Sequence, residues 1–324
     1  MRKVGITGDL KVSPVGLGTV NFGTGLSEAD SMDQMDRYLE VGNLIDTAHV
    51  YGDWEPGVRG RSERVIGKWL SLRGGRDRVI ISTKGAHPRL ESMDIPRVTP
   101  EAIRRDLEES LRCLNTEYVD LYFLHRDDPA RPVGESLECL ERLRGEGKIR
   151  AYGCSNWRLD RILEAERYAK AHSLSGFVCN QLMWSLAAVD MAQVADKTLV
   201  GMDGRTYAWH RRSQMAAMAY MSVANGYFDH LAAGDLREAV RIKYGLPINA
   251  VIHKRLCELS AKTGMSLTAL SLLYFSAAPF PAVALASFSS PKQMEACTGL
   301  LQREAPLEIA RELEGLRTDL RRGE

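Results

Sequence analysis

Eight times along this 324-residue chain a short run of β-branched and aliphatic residues ends in a polar residue, passes into a loop and meets an amphipathic stretch with helical spacing. No other feature restricts the fold as much. Strand–helix alternation without a dividing linker makes a parallel sheet covered by helices, as a closed barrel or a doubly wound sheet. The strand candidates are Val15–Thr19, Asn43–Ala48, Val79–Lys84, Val119–His125, Ile149–Ser155, Phe177–Gln181, Met215–Tyr220 and Pro281–Ala286. Eight such units close a (β/α)8 TIM barrel, and a chain that is 44% hydrophobic can bury one large core. The expectation is a single α/β barrel domain over residues 1–324.

Additions to the barrel are also legible. Val4–Ser13 carries Gly5 and Gly8 and is expected to form an N-terminal hairpin that plugs the barrel bottom. Among the helices, the one after Thr99 is clearest: Thr99 can cap, Pro100 suits the first turn, and Ile103, Leu107, Leu111 and Leu114 share one face up to Asn115. Glu135–Glu146 places Leu137, Leu140 and Leu143 on one side before Gly147. Ala224–Asn249 is long and glycine-bearing and reads as a loop covering the open end. Pro291–Leu301 and Leu307–Leu320 are expected to add C-terminal helices.

Composition removes several classes of function. Lys plus Arg (43) balances Asp plus Glu (42), and a net charge of +1 offers no field to draw nucleic acid or an anionic membrane. No stretch reaches the roughly 18 apolar residues of a spanning helix, and the basic Met1-Arg2-Lys3 is not followed by an apolar segment, so a cytoplasmic location is expected. The six cysteines lack CxxC spacing and read as reduced core residues, with no metal site expected. Nothing in the sequence specifies an oligomeric state.

Parallel strands buried on both faces are apolar runs, so polar residues recurring at their carboxyl ends need a reason. Asp46, Lys84 and His125 end three successive strands, followed by Ser155-Asn156, Gln181 and Tyr220. Singly, Asp46 could cap a segment, Lys84 could lie along apolar surface, and His125 could be a satisfied core histidine. Jointly these readings fail, because the three groups converge on one small volume at the face where such barrels keep their sites. Leaving them unpaired there costs several kcal/mol. The set suits proton transfer to a carbonyl that is receiving hydride. Tyr51, taken alone, reads as a loop aromatic capping the barrel; beside Lys84 it would be the donor, with Asp46 compensating the ammonium and neutral His125 orienting and polarising the carbonyl.

At these residues the chain resembles the aldo-keto reductase family over essentially its whole length. The resemblance rests on Asp46-Thr47-Ala48-His49-Val50-Tyr51-Gly52, on Ser82-Thr83-Lys84, and on Asp120-Leu121-Tyr122-Phe123-Leu124-His125. It implies a catalytic tetrad of Asp46, Tyr51, Lys84 and His125 and a nicotinamide cofactor. Gly153-Cys154-Ser155-Asn156 and Asn180-Gln181 match the segments that hold the carboxamide, giving Ser155, Asn156 and Gln181. Tyr220 is similar to the aromatic residue under the nicotinamide ring, and Thr19, Val20 and Asn21, with Asp46, line its bed. Ser222, Ser287, Ser289 and Gln293 complete the implied cofactor contacts. Where the family places an arginine after the eighth strand, this chain has Ala286-Ser287-Phe288-Ser289-Ser290, and Met221 and Val223 replace polar residues after the stacking aromatic. NADP(H) is the first expectation on the family's pattern, and NAD(H) follows closely because no guanidinium is in place for a 2′-phosphate.

Trp54 and Arg126, with His125, are expected at the substrate mouth, and Trp184, Trp209 and Tyr207 are further aromatic candidates. Such a border suits a small carbonyl or polyol substrate, including sugar-like ones. The implied reaction is reduction of an aldehyde or ketone with Tyr51 as general acid. NAD(P)-dependent oxidation of a sugar or cyclitol hydroxyl, and a cofactor-binding regulatory subunit with little turnover, stand as alternatives.

Overall fold

A computed structural model describes residues 3–302 and 306–321. The chain opens with a hairpin of β1 (Val4–Thr7) and β2 (Leu10–Val12). It continues as β3 (Val15–Gly18), α1 (Glu28–Leu39), β4 (Leu44–Asp46), α2 (Arg61–Arg73), β5 (Ile80–Gly85), α3 (Pro100–Leu114), β6 (Val119–Leu124) and α4 (Val133–Gly145). Next come β7 (Ile149–Ser155), α5 (Leu159–Ala171), β8 (Cys179–Met183), α6 (Gly204–Ser213) and β9 (Ala216–Tyr220). Four helices follow, α7 (Tyr227–Ala233), α8 (Glu238–Tyr244), α9 (Pro247–Thr263) and α10 (Leu267–Leu273), then β10 (Ala282–Ala286), α11 (Pro291–Gln302), α12 (Leu307–Leu316) and α13 (Thr318–Arg321). Strands β3 to β10 are parallel and form a closed barrel in which β10 pairs with both β9 and β3.

The core has two layers because side chains alternate along each strand. Leu44, Leu121, Phe123, Ala151, Cys179, Met218, Val283 and Leu285 fill the barrel interior, and Val4, Ile6 and Leu10 of the hairpin pack against them from below. Their neighbours Ile45, Tyr122, Leu124, Tyr152 and Ala284 point outward into the larger layer between strands and helices. The hairpin is thus the bottom plug. Close strand approach at β3 depends on a missing side chain: a Cβ on Gly16 would lie 2.8 Å from both Leu285 Cδ2 and Leu44 Cδ2.

The helix signals act as their chemistry requires. The Thr99 side chain accepts from the Ala102 N–H, Pro100 opens α3, and Asn115 closes it at φ 48°. α4 starts at Val133, two residues before the sequence spacing suggests. The C-terminal Leu307–Leu320 pattern is divided at Arg317 into α12 and α13.

One expectation is overturned. Ala224–Asn249 is mostly helical, holding α7, α8 and the start of α9, and Tyr227, Phe228 and Tyr244 are buried in the outer core. Two of its helices have seven residues each, too few turns for helical periodicity to stand out. The segment still borders the open end of the barrel, through Asn225, Gly226, His230 and Arg237.

Candidate active site

Alternation along the strands decides which side chains reach the upper end of the barrel. In β4, β6, β8, β9 and β10 the last inward core residues are Leu44, Phe123, Cys179, Met218 and Leu285. Two positions later stand Asp46, His125, Gln181, Tyr220 and Ser287. The same period puts Lys84 above Ser82 in β5 and Ser155 above Gly153 in β7. Asp46, His125, Ser155, Gln181, Tyr220 and Ser287 line one cavity of about 700 Å³ at the carboxyl ends of the strands. Lys84 lies directly beneath, only 1% exposed.

Lys84 Nζ donates to Asp46 Oδ2 at 2.7 Å and to the Thr47 carbonyl at 2.6 Å, and its third direction meets Tyr51 Oη at 3.5 Å. Burial alone would push the Lys84 ammonium down, but the Asp46 carboxylate and the Tyr51 phenol outweigh it and hold it above its ordinary value. Asp46 Oδ1 also accepts from Ser82 Oγ at 2.5 Å and from Gln181 Nε2 at 3.0 Å, so its charge is met from two strands. Tyr51 arrives from the loop after β4, where its N–H bonds the Ala48 carbonyl. The tight turn behind it needs glycine: Gly52 has φ 92°, and a Cβ there would lie 2.7 Å from Arg61 Cβ.

His125 stands edge-on to Tyr51, with ring centroids 6.1 Å apart. Burial first, then the neighbouring His87, Arg126 and Lys84, hold its imidazole well below the usual histidine range, so the ring is neutral. Its Nδ1 is buried without a hydrogen-bond partner. An orphaned lone pair there is less costly than an orphaned N–H, which puts the proton on Nε2 and makes that atom a donor.

The expected cofactor residues share this cavity. Thr19, Val20, Asn21, Asp46, Ser155, Asn156, Gln181, Tyr220, Ser222, Ser287, Ser289 and Gln293 all line it. Asn156 adopts φ 61°, and its carboxamide oxygen accepts from Tyr220 Oη at 2.5 Å, which fixes the tyrosine ring. Thr19 Oγ1 is spent on the Asp46 carbonyl and Ser62, and Ser222 Oγ on the Leu285 carbonyl. Ser289 donates through both its N–H and its hydroxyl to Gln293 Oε1 at the start of α11.

Trp54 stands on the cavity rim, 47% exposed. Arg126 lines the wall, but its guanidinium is tied to Asp196 at 3.0 Å, to Thr198 and to the His125 carbonyl. Trp184, Trp209 and Tyr207 do not reach the mouth. All three are buried in the outer core, where Trp184 packs on Tyr274, Phe275 and Phe280 and donates to Tyr274 Oη. Residues that the sequence reading did not assign also line the cavity, chiefly His87 in the loop after β5 and Arg237 in the α7–α8 segment, beside His230 of the stretch expected to cover the open end.

A profile of the Aldo/keto reductase family matches residues 14–316. The chain belongs to the aldo/keto reductase family. Relatives of this chain include the uncharacterised oxidoreductase YrpG of Bacillus subtilis, 35% identical over 56% of this chain and 57% of its own length. The aldo-keto reductase YhdN of the same organism is 34% identical over 51% of this chain and 50% of its own, and norsolorinic acid reductase of Aspergillus flavus is 30% identical over 56% and 49%. The chain thus spans about half the length of the curated relatives it matches. A solved aldo/keto reductase from Klebsiella pneumoniae, in complex with NADP and acetate, superposes with a TM-score of 0.69 over 98% of this chain and 95% of its own, at 24% identity. The family's barrel is therefore the architecture described above. Among the described residues no helix is long and apolar enough to cross a membrane.

Proposed function

We propose that the protein is an NADP(H)-dependent reductase of small aldehydes and ketones, sugar-like ones included, that works in the cytoplasm as one barrel unit. One observation carries the reading. Asp46, Lys84 and Tyr51 form a continuous charge-compensated chain that ends, beside a neutral His125, in the cavity over the strand ends.

The residues present fit a dinucleotide. The cavity reaches both Tyr220 and Gln293, its walls carry amide and hydroxyl groups among apolar side chains, and Asn225 Oδ1 stands in the wall buried and without a partner among the described residues. When bound, the reduced nicotinamide supplies the hydride. Tyr220 would offer its ring face and Ser155 and Gln181 hydroxyl and amide partners to the nicotinamide, with Asn156 holding Ser155 and Tyr220 in place beside it. His125 Nε2–H donates to the substrate carbonyl oxygen and polarises it. Tyr51 Oη gives its proton to that oxygen as the hydride reaches carbon, and the Lys84 ammonium stabilises the phenolate left behind. Asp46 keeps the ammonium charged and in place. Gln293 and Arg237 would hold the phosphates, joined by Ser287 and Ser289 once their hydroxyls leave the Gly18 carbonyl and Gln293 Oε1. Arg237 has no ion-pair partner among the described residues and stands in for the arginine missing after β10.

NADP(H) ranks ahead of NAD(H) because solved proteins of similar fold hold NADP or NADPH. A reducing compartment suits six free cysteines. Neither the reverse oxidation of a polyol nor a low-turnover subunit has an observation of its own in support. Fluorescence titration with NADPH and NADH followed by a carbonyl panel tests the reading. Tyr51→Phe is expected to bind NADPH normally and to lose turnover, and unchanged turnover would sink the assignment.

A further inference from the structure

The proton-transfer chain makes no use of His87, yet this residue faces the same space. β5 ends at Gly85, and Ala86 turns the backbone into the left-handed region at φ 58° while its N–H is held by Asp106 at 2.9 Å. That turn swings His87 over the barrel mouth, where its ring meets His125 edge-to-face at a centroid distance of 4.7 Å. The main chain is clamped from behind. Arg97, itself held by both oxygens of Asp106, donates to the His87 carbonyl at 2.6 Å.

The ring's proton can be assigned from its partner. His87 Nδ1 lies 2.6 Å from the Pro88 carbonyl oxygen, which can only accept, so Nδ1 carries the hydrogen. Burial, with Arg126 next, pushes this imidazole down to about 4 despite Asp196 nearby, so it is neutral near pH 7. Nε2 is then a bare acceptor. It has no protein partner among the described residues, and His87 lines both the cavity over the strand ends and a second, smaller one beside His49, Asp53 and Arg97.

Two imidazoles of opposite polarity therefore stand side by side: His125 Nε2 offers a hydrogen, and His87 Nε2 asks for one. A carbonyl oxygen answers the first. A hydroxyl on the neighbouring carbon answers the second. We propose that His87 selects the substrate by accepting a hydrogen bond from a hydroxyl on the carbon next to the carbonyl, so that 2-hydroxy aldehydes and 2-hydroxy ketones are preferred over plain ones. The inference rests on the reductase reading above and narrows it. Reduction then adds hydride to the carbonyl carbon and a proton to its oxygen, yielding a vicinal diol and the oxidised dinucleotide.

The test compares kcat/KM for glyceraldehyde and propanal with NADPH. The wild type is expected to favour glyceraldehyde by roughly two- to tenfold, the range for one net hydrogen bond between neutral groups. In His87→Phe that ratio is expected to collapse toward one, and in His87→Gln, which restores an acceptor, to recover in part. A wild type without preference, or a ratio untouched by either substitution, overturns the proposal. If NADPH binds but no carbonyl in the panel is reduced, the reductase reading fails instead. The imidazole nitrogen NMR signal of His87 then decides alone, in the NADP+ complex titrated with glyceraldehyde. A shift of Nε2 supports the contact, and an unmoved signal at saturation overturns it.

Discussion

Replacing Lys84 with methionine removes one ammonium while keeping an unbranched chain of similar length in the same slot. Lys84 Nζ and Tyr51 Oη are 3.5 Å apart. At an effective dielectric constant of about 20, a unit charge on each interacts by about 5 kcal/mol. Asp46, 2.7 Å behind the ammonium, repels the developing phenolate in wild type and variant alike, so the attraction is lost in full, about three orders of magnitude in hydride-transfer rate. Single-turnover absorbance of the reduced nicotinamide, with NADPH affinity read by fluorescence, measures this directly. The affinity is expected to hold, because no dinucleotide-facing residue changes. Stability should fall by about 3–5 kcal/mol, since Asp46 is left buried with only Ser82 and Gln181 as donors. The double variant Lys84→Met/Asp46→Asn removes both charges, so it should recover stability and only part of the rate. A single variant within twofold of the wild-type rate, or one that loses cofactor affinity while its residual chemistry is normal, would refute the electrostatic argument.

Other consequences can be measured separately. Burial holds neutral His87 and His210 down at about 4 each, against an ordinary 6.5. Between those values the unfolded chain binds protons that the native chain does not. The stability these rings allow above pH 6.5 is therefore lost as pH falls toward 4, by up to about 3 kcal/mol each. Urea unfolding at about pH 7 and about pH 4.5 reads this, and His210→Asn should flatten the difference; an unchanged slope would contradict it. Gly67→Ala would set a Cβ 2.1 Å from the Cys113 carbonyl oxygen, so α2 and α3 must separate. A loss of about 1–3 kcal/mol in a thermal melt is expected, and a neutral result would mean that the helices have room to move. Arg237→Ala should loosen NADPH about tenfold in a fluorescence titration, as for one charge-assisted bond. An equal loss with NADH assigns the arginine to the pyrophosphate and a loss with NADPH alone to the 2′-phosphate, whereas unchanged binding of both removes it from the grip.

How much was legible follows from where counting by twos holds. Asp46, Lys84 and His125 could be assigned from sequence because each ends a strand whose alternation runs unbroken to it. Trp184 could have been excluded the same way. β8 extends to Met183, two places past Gln181, so the next residue points outward into the helix layer. Ending that strand candidate at Gln181 hid the rule. His87 lies beyond any such count, since the left-handed turn at Ala86 resets the direction of its side chain. The same limit concealed Arg237, which sits beside helices of seven residues where apolar spacing has no second turn to confirm it.

The polar layer also explains why its members are persuasive together and weak apart. In the closed barrel order, β4 and β8 lie on opposite sides, yet Gln181 Nε2 reaches Asp46 Oδ1 at 3.0 Å. Side chains from opposing strands thus meet across the lumen, which at this level is a packed layer and not a channel. A lone carboxylate or ammonium there would carry its full desolvation cost. With Lys84, Ser82 and Gln181 all directed at Asp46, the cost is shared among partners that only the closed barrel brings together. Any strand shifted by one residue would turn its contribution outward and leave the others unpaired. The charge network therefore enforces the same register that the apolar layer below it requires, and the chemistry at the mouth and the closure of the sheet are specified by the same residues.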